Sequence, residues 1–147
     1  MSAKRTSSKR SGTNKASPPD RPALFIDRDA WSRKLGLALE DARIAHVAHQ
    51  RQFDSGSPDV EWIQKVSQQG WIAITRDQNI RRKPNELTAI RASRAIIFVF
   101  TSGNLSAEET ARILLQALPR IYRVVTGAKR PQLFSIRRDG TIGRLKL

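Results

Sequence analysis

The 147-residue chain contains no cysteine. That excludes a disulfide framework, a thiolate zinc site and a cysteine nucleophile, and it suits a reducing, cytoplasmic setting. The longest uninterrupted apolar run, Ala95 to Phe100, has six residues, against the roughly 20 that a membrane helix needs. No apolar h-region follows the basic N-terminus, so neither a secretory signal nor a membrane partner is expected. A glycine-rich phosphate loop is also lacking, since Gly103 stands alone. Serine and threonine are plentiful, but none has a placed His or Lys partner to make it a nucleophile. Acids are the minority charge: 13 Asp+Glu face 27 Lys+Arg, for a formal net charge of +14. Such an excess in a single-domain length of chain points to a polyanionic partner.

The excess is not confined to one end. Residues 1–22 hold Lys4, Arg5, Lys9, Arg10, Lys15 and Arg21 against Asp20 alone, and after Met1 they contain no apolar residue larger than alanine. This stretch reads as a disordered basic arm, because it cannot bury enough surface to offset its ordering entropy. A solubilising leader and a nucleic-acid tether are both open for it. Residues 23–147 form the folded domain and still carry 21 basic against 12 acidic side chains.

From Ala23 onward, short apolar runs alternate with helix-period segments. Leu24-Phe25-Ile26 reads as a buried strand, and Asp29 can cap a helix carrying Trp31, Leu35 and Leu39 on one face. Ile44 to Ala48 reads as a second strand. Ser57 and Pro58 open a helix that stops at Gly70, and Trp71 to Thr75 is the third strand. A short helix from Asn85 to Ala92 precedes the fourth strand, Ile96 to Phe100. Ser106 and Glu109 form a capping box for a long helix toward Val125, which Pro119 should kink or split. The chain closes on a hairpin, Leu133–Arg138 and Ile142–Leu147, joined through Asp139-Gly140. Strands separated by helices imply an α/β fold with a mostly parallel sheet covered on both faces, and the C-terminal β-hairpin extends one edge.

In open α/β sheets ligands bind beyond the carboxyl ends of the strands. Asp27 and Asp29 follow the first strand, Asp77 follows the third, and Asp59 and Glu61 lie on the first turn of the second helix. Gathered carboxylates repel unless a cation sits among them, and an oxygen-only donor set suits Mg²⁺ or Mn²⁺. Asp29 reads as a helix cap; Asp27 and Asp77 read as the strongest ligands, with Glu61 preferred to Asp59. The common site requires the first and third strands to be neighbours. Arg28, Arg76, Arg81, Arg82 and Lys83 surround these acids as candidate phosphate contacts. His46 and His49, three apart along the second strand, point to opposite faces and read as structural. Trp31, Trp62 and Trp71 read as core residues.

The ordered set FIDRD at 25–29, SPDVEW at 57–62, GWIAITRDQNIRRKP at 70–84 and FVFTSGNLS at 98–106 resembles the PIN-like domains, and within them the small VapC-type toxins of toxin-antitoxin pairs. The resemblance implies a three-layer α/β/α sandwich and a Mg²⁺- or Mn²⁺-dependent endoribonuclease whose acids map to Asp27, Glu61 (or Asp59) and Asp77. It also implies an RNA substrate and a cognate antitoxin protein, and it leaves a homodimer open. Many PIN domains place a fourth acid beyond the next strand, where this chain has Thr101 and Asn104 instead; these are candidates to contact a water or a phosphate. Two alternatives stay open: a catalytically inactive nucleic-acid-binding module and a structure-specific DNA nuclease.

Overall fold

In the computed structural model, which describes residues 21–147, six strands build one sheet. They are β1 (Leu24–Ile26), β2 (His46–Ala48), β3 (Ile72–Thr75), β4 (Ile96–Phe100), β5 (Gln132–Ile136) and β6 (Ile142–Leu145). Their order is β2-β1-β3-β4-β5-β6. All neighbours are parallel except β5 and β6, which form the antiparallel C-terminal hairpin. β1, β3 and β4 are buried along their whole length, as central parallel strands covered on both faces must be.

Alternation along these strands divides the core into two. Leu24, Ile26, Ile74 and Phe98 face Leu35 and Leu39 of α1 (Arg33–Asp41) and Leu114, Ala117 and Ile121 of α4 (Ala107–Gly127). Phe25, Ala73, Ile97 and Val99 face Trp62, Ile63 and Val66 of α2 (Asp59–Gln69) and Ile90 of α3 (Pro84–Arg91). The result is the expected α/β/α sandwich, with the carboxyl ends of β1 and β3 side by side. Gly70 closes α2 at φ 70°, a left-handed conformation that costs glycine no steric penalty.

Several local expectations are corrected. The first helix is capped by Ser32, whose Oγ accepts from Leu35 N at 3.0 Å, and Asp29 is free of that duty. β2 is shorter than predicted, and His49 leaves it to open a single 3-10 turn, His49–Arg51. The second helix begins at Asp59, with Pro58 at the cap position and no side-chain cap bond. α4 runs unbroken through Pro119. The Ser106–Glu109 capping box is present in both directions. Asp139 and Gly140 lie in the hairpin loop, where Asp139 Oδ1 accepts from Thr141 N at 3.0 Å.

The arm predicted over 1–22 lies outside the described residues except for its last two. Of these, Arg21 places its guanidinium 4.8 Å from the centre of the Tyr122 ring. Among the described residues no helix is long and apolar enough to cross a membrane.

Candidate active site

β1 and β3 are paired directly, Ile26 opposite Ile74, and Asp27 N donates to Ile74 O at 2.9 Å. This register sets Asp27, the first residue after β1, beside Thr75, the last residue of β3. Thr75 is fully buried, and its hydroxyl donates to Asp27 Oδ2 at 2.7 Å. The same oxygen lies 3.3 Å from Asp29 Oδ1 and accepts from Asp77 N at 3.1 Å. One threonine therefore ties three aspartates to the end of one strand. A hydroxyl closing an otherwise apolar strand was the sequence signal for it, although the carboxylates alone drew attention.

Asp29 joins the site. Its residue surface is exposed, but its carboxylate turns inward and accepts from Arg76 N at 2.9 Å. Asp77 Oδ1 accepts from Asn79 N at 3.0 Å, which fixes the turn after β3. Asp59, at the start of α2, accepts from Trp62 Nε1 at 3.0 Å. These four aspartates line a cavity of about 250 Å³ together with Arg28, His49, Ser55 and Ser57. A larger groove of about 820 Å³ lies between the end of α4 and the C-terminal hairpin, but no acid lines it. The acid chemistry therefore belongs to the smaller cavity.

The electrostatics follow from this crowding. Burial, followed by the neighbouring Asp29 charge, pushes the Asp27 carboxyl up from 3.8 to about 6, against the opposing hydrogen bonds from Thr75 and Arg28 N. Desolvation also raises Asp29, with the Arg76 N–H opposing. His49 is 3 % exposed and packs on Phe25 and Phe53; its Nδ1 has no hydrogen-bond partner. Burial, followed by the charge of Arg28, lowers its pKa, so the ring is held neutral. The strand alternation that marked His49 as purely structural does not apply, because it sits on a turn at the cavity wall.

The remaining predicted residues divide. Glu61 is exposed and absent from the cavity lining. Two positions along a helix rotate a side chain by about 200°, so Asp59 and Glu61 cannot both face the site, and Asp59 is the one that does. Arg28 and Arg82 are exposed, and Arg76 is half-buried. Arg81 donates to Lys146 O at 3.1 Å, which ties it to the C-terminal segment. Lys83 turns into the acids instead of outward to a ligand, with Nζ 2.6 Å from Asp77 Oδ2 and 3.7 Å from Asp59 Oδ2. Thr101 and Asn104 are exposed and line no part of the cavity. Thr101 bonds toward β5, through Ile136 O, and so turns away from β3.

The donors fit a hard divalent cation chemically: all are carboxylates, and two are raised by desolvation. Among the described residues no three His, Asp or Glu side chains converge tightly enough to hold an ion by themselves. Mg²⁺ characteristically takes one or two carboxylates and keeps several waters, so a pair such as Asp27 and Asp29 satisfies its requirement.

Comparison with known proteins places these features. A family model described as a PIN like domain matches residues 22–102, which contain all four cavity aspartates. The chain is 25% identical over 104 residues to "Putative ribonuclease VapC45" of Mycobacterium tuberculosis (strain ATCC 25618 / H37Rv), covering 68% of this chain and 75% of that protein. No solved structure gives a significant match.

Proposed function

The chain belongs to the PIN-like domain family, and from that premise we propose that it is a metal-dependent endoribonuclease, the toxin of a toxin-antitoxin pair. The observation that carries the reading is the meeting of Asp27, Asp29, Asp59 and Asp77 on one cavity at the carboxyl ends of β1 and β3. Likeness to a VapC-named ribonuclease supports RNA as substrate and a cognate antitoxin as partner.

Asp27 and Asp29 are the residues that would hold Mg²⁺ or Mn²⁺, and Asp59 and Asp77 complete the acidic wall. Such an ion supplies Lewis-acid charge to the phosphate and to the attacking water. The chain's own groups do the rest. Thr75 and the Arg28 and Arg76 N–H groups fix the carboxylates so that they need not reorganise when substrate arrives. Arg28, which lines the cavity, and Arg76 and Arg82, which follow β3 in sequence, hold the RNA phosphates. His49, held neutral by burial, excludes water from the apolar wall behind the acids.

The test is incubation of purified protein with labelled RNA and with labelled DNA, each with Mg²⁺, Mn²⁺ or EDTA. RNA is expected to be cut only with metal, and Asp27→Asn and Asp77→Asn are each expected to lower the rate at least 100-fold. Undiminished cleavage by both variants would overturn the site; cleavage of DNA alone would make the protein a DNA nuclease. A second reading, an RNA-binding module that does not cut, is favoured by the absence of a carboxylate at Thr101 and Asn104. Binding without cleavage under every condition would establish it.

A further inference from the structure

The four cavity aspartates are not equivalent in what neutralises them. Asp59 and Asp77 share a cation of the chain's own, the Lys83 ammonium, 2.6 Å from Asp77 Oδ2 and 3.7 Å from Asp59 Oδ2. Lys83 is delivered there by the 3-10 turn Ile80–Arg82, immediately before Pro84 opens α3. Asp27 and Asp29 form no ion pair among the described residues. Their partners are the Thr75 hydroxyl and the backbone N–H groups of Arg28 and Arg76, which are dipoles and not charges. Asp59 and Asp77 thus have an ammonium in direct contact, whereas Asp27 and Asp29 have none: the Arg76 charge acts on Asp29 from beyond ion-pair distance, and Arg28 lines the cavity without pairing.

Two-metal phosphodiester chemistry places ions about 3.5–4 Å apart, clamped by shared carboxylates. Here the segment after β4 contributes no acid: Thr101 and Asn104 carry no carboxylate, and both are outside the lining. A second ion would therefore have to take Asp59 and Asp77 from Lys83. The lysine has the advantage in that competition. It is tethered, so its effective concentration at the two carboxylates is on the order of millimolar or above, and Mg²⁺ gives up its own waters reluctantly.

Resting on the nuclease reading above, we propose that Lys83 stands in for a second metal ion, so that the site takes one divalent cation, at Asp27 and Asp29, with the ammonium as the fixed charge on the opposite side of the phosphate. The division of labour makes Lys83 a positioning residue for the single-ion site. Its removal should open a second cation position.

Counting bound Mn²⁺ by electron paramagnetic resonance and calorimetry on the full-length protein tests this without reference to turnover. The wild type and Lys83→Arg are expected to bind one ion per chain, and Lys83→Met two, or to show at least a tenfold gain in affinity for a second. Asp27→Asn should lose the wild-type ion, whereas Asp59→Asn should keep it. Two ions in the wild type, or one in Lys83→Met with unchanged affinity, would overturn the proposal while leaving the nuclease reading intact. No ion in any variant would overturn both.

Discussion

On the proposed nuclease reading, Asp27 is the residue at which function and stability are most directly opposed. It is 7 % exposed, and its carboxyl is raised from 3.8 to about 6 by burial and by Asp29. Two units of differential protonation correspond to about 3 kcal/mol. The sign is destabilising: between pH 4 and 6 the folded state binds more protons than the unfolded, so stability falls as the pH rises through that window. Above it the full cost is present. Asp27→Asn, which can still accept from Thr75, is therefore expected to raise unfolding free energy at pH 7 by about 1–3 kcal/mol in metal-free buffer. The gain should vanish near pH 4, as read from urea midpoints at the two pH values. At this scale the sequence was legible where a carboxylate follows a strand within two residues, as Asp27 follows β1 and Asp77 follows β3. It misled where local alternatives compete: Asp29 has the form of a cap until Ser32 is seen to take the role, and Glu61 outranked Asp59 until the helix start fixed which of them faces the sheet.

Among the elements, α4 presents the clearest conflict between local chemistry and tertiary packing. Pro119 lacks an N–H and crowds the preceding turn, an effect of about 3 kcal/mol in a helix interior. Yet the helix continues, because Ala117, Leu118 and Ile121 around it are buried against the sheet while Pro119 itself is exposed. Packing on both sides outweighs the missing bond. Pro119→Ala should therefore stabilise the protein by about 1–3 kcal/mol, seen as a higher thermal midpoint, with RNA cleavage unchanged. Gly36 shows the reverse case. A Cβ there would stand 2.5 Å from the Trp31 ring, so glycine in mid-helix is the residue that lets the indole cover α1. The strands, the capping box and the stop at Gly70 were readable because each depends on neighbours in sequence. Continuity across Pro119 was not, because its cause lies in the sheet.

For the whole molecule, charge and topology act together. The net charge of +14 includes five basic side chains and one acid within residues 1–20, so the described domain remains strongly cationic without them. Each phosphate neutralised adds to the salt dependence of binding, and six to ten contacts cost about 10³–10⁵ in affinity between 50 and 200 mM salt. RNA affinity should fall steeply over that range. Removing residues 1–20 should lower the slope of log affinity against log salt by at most about 4, at roughly 0.7–0.9 per phosphate contact, with metal-dependent cleavage retained, as measured by fluorescence anisotropy and gel assay. The sequence by itself determined the sandwich, the excess of basic charge and the set of carboxylates available beyond the strand ends. Apolar periodicity, caps and strand-end residues are local properties, and each is set within a few positions. Only the tertiary structure decided which acids meet. Adjacency of β1 and β3 brings Asp27, Asp29 and Asp77 onto one threonine, the start of α2 selects Asp59 over Glu61, and the turn before α3 sends Lys83 inward. Those choices depend on contacts between segments up to about 50 residues apart, whose distances no local pattern encodes.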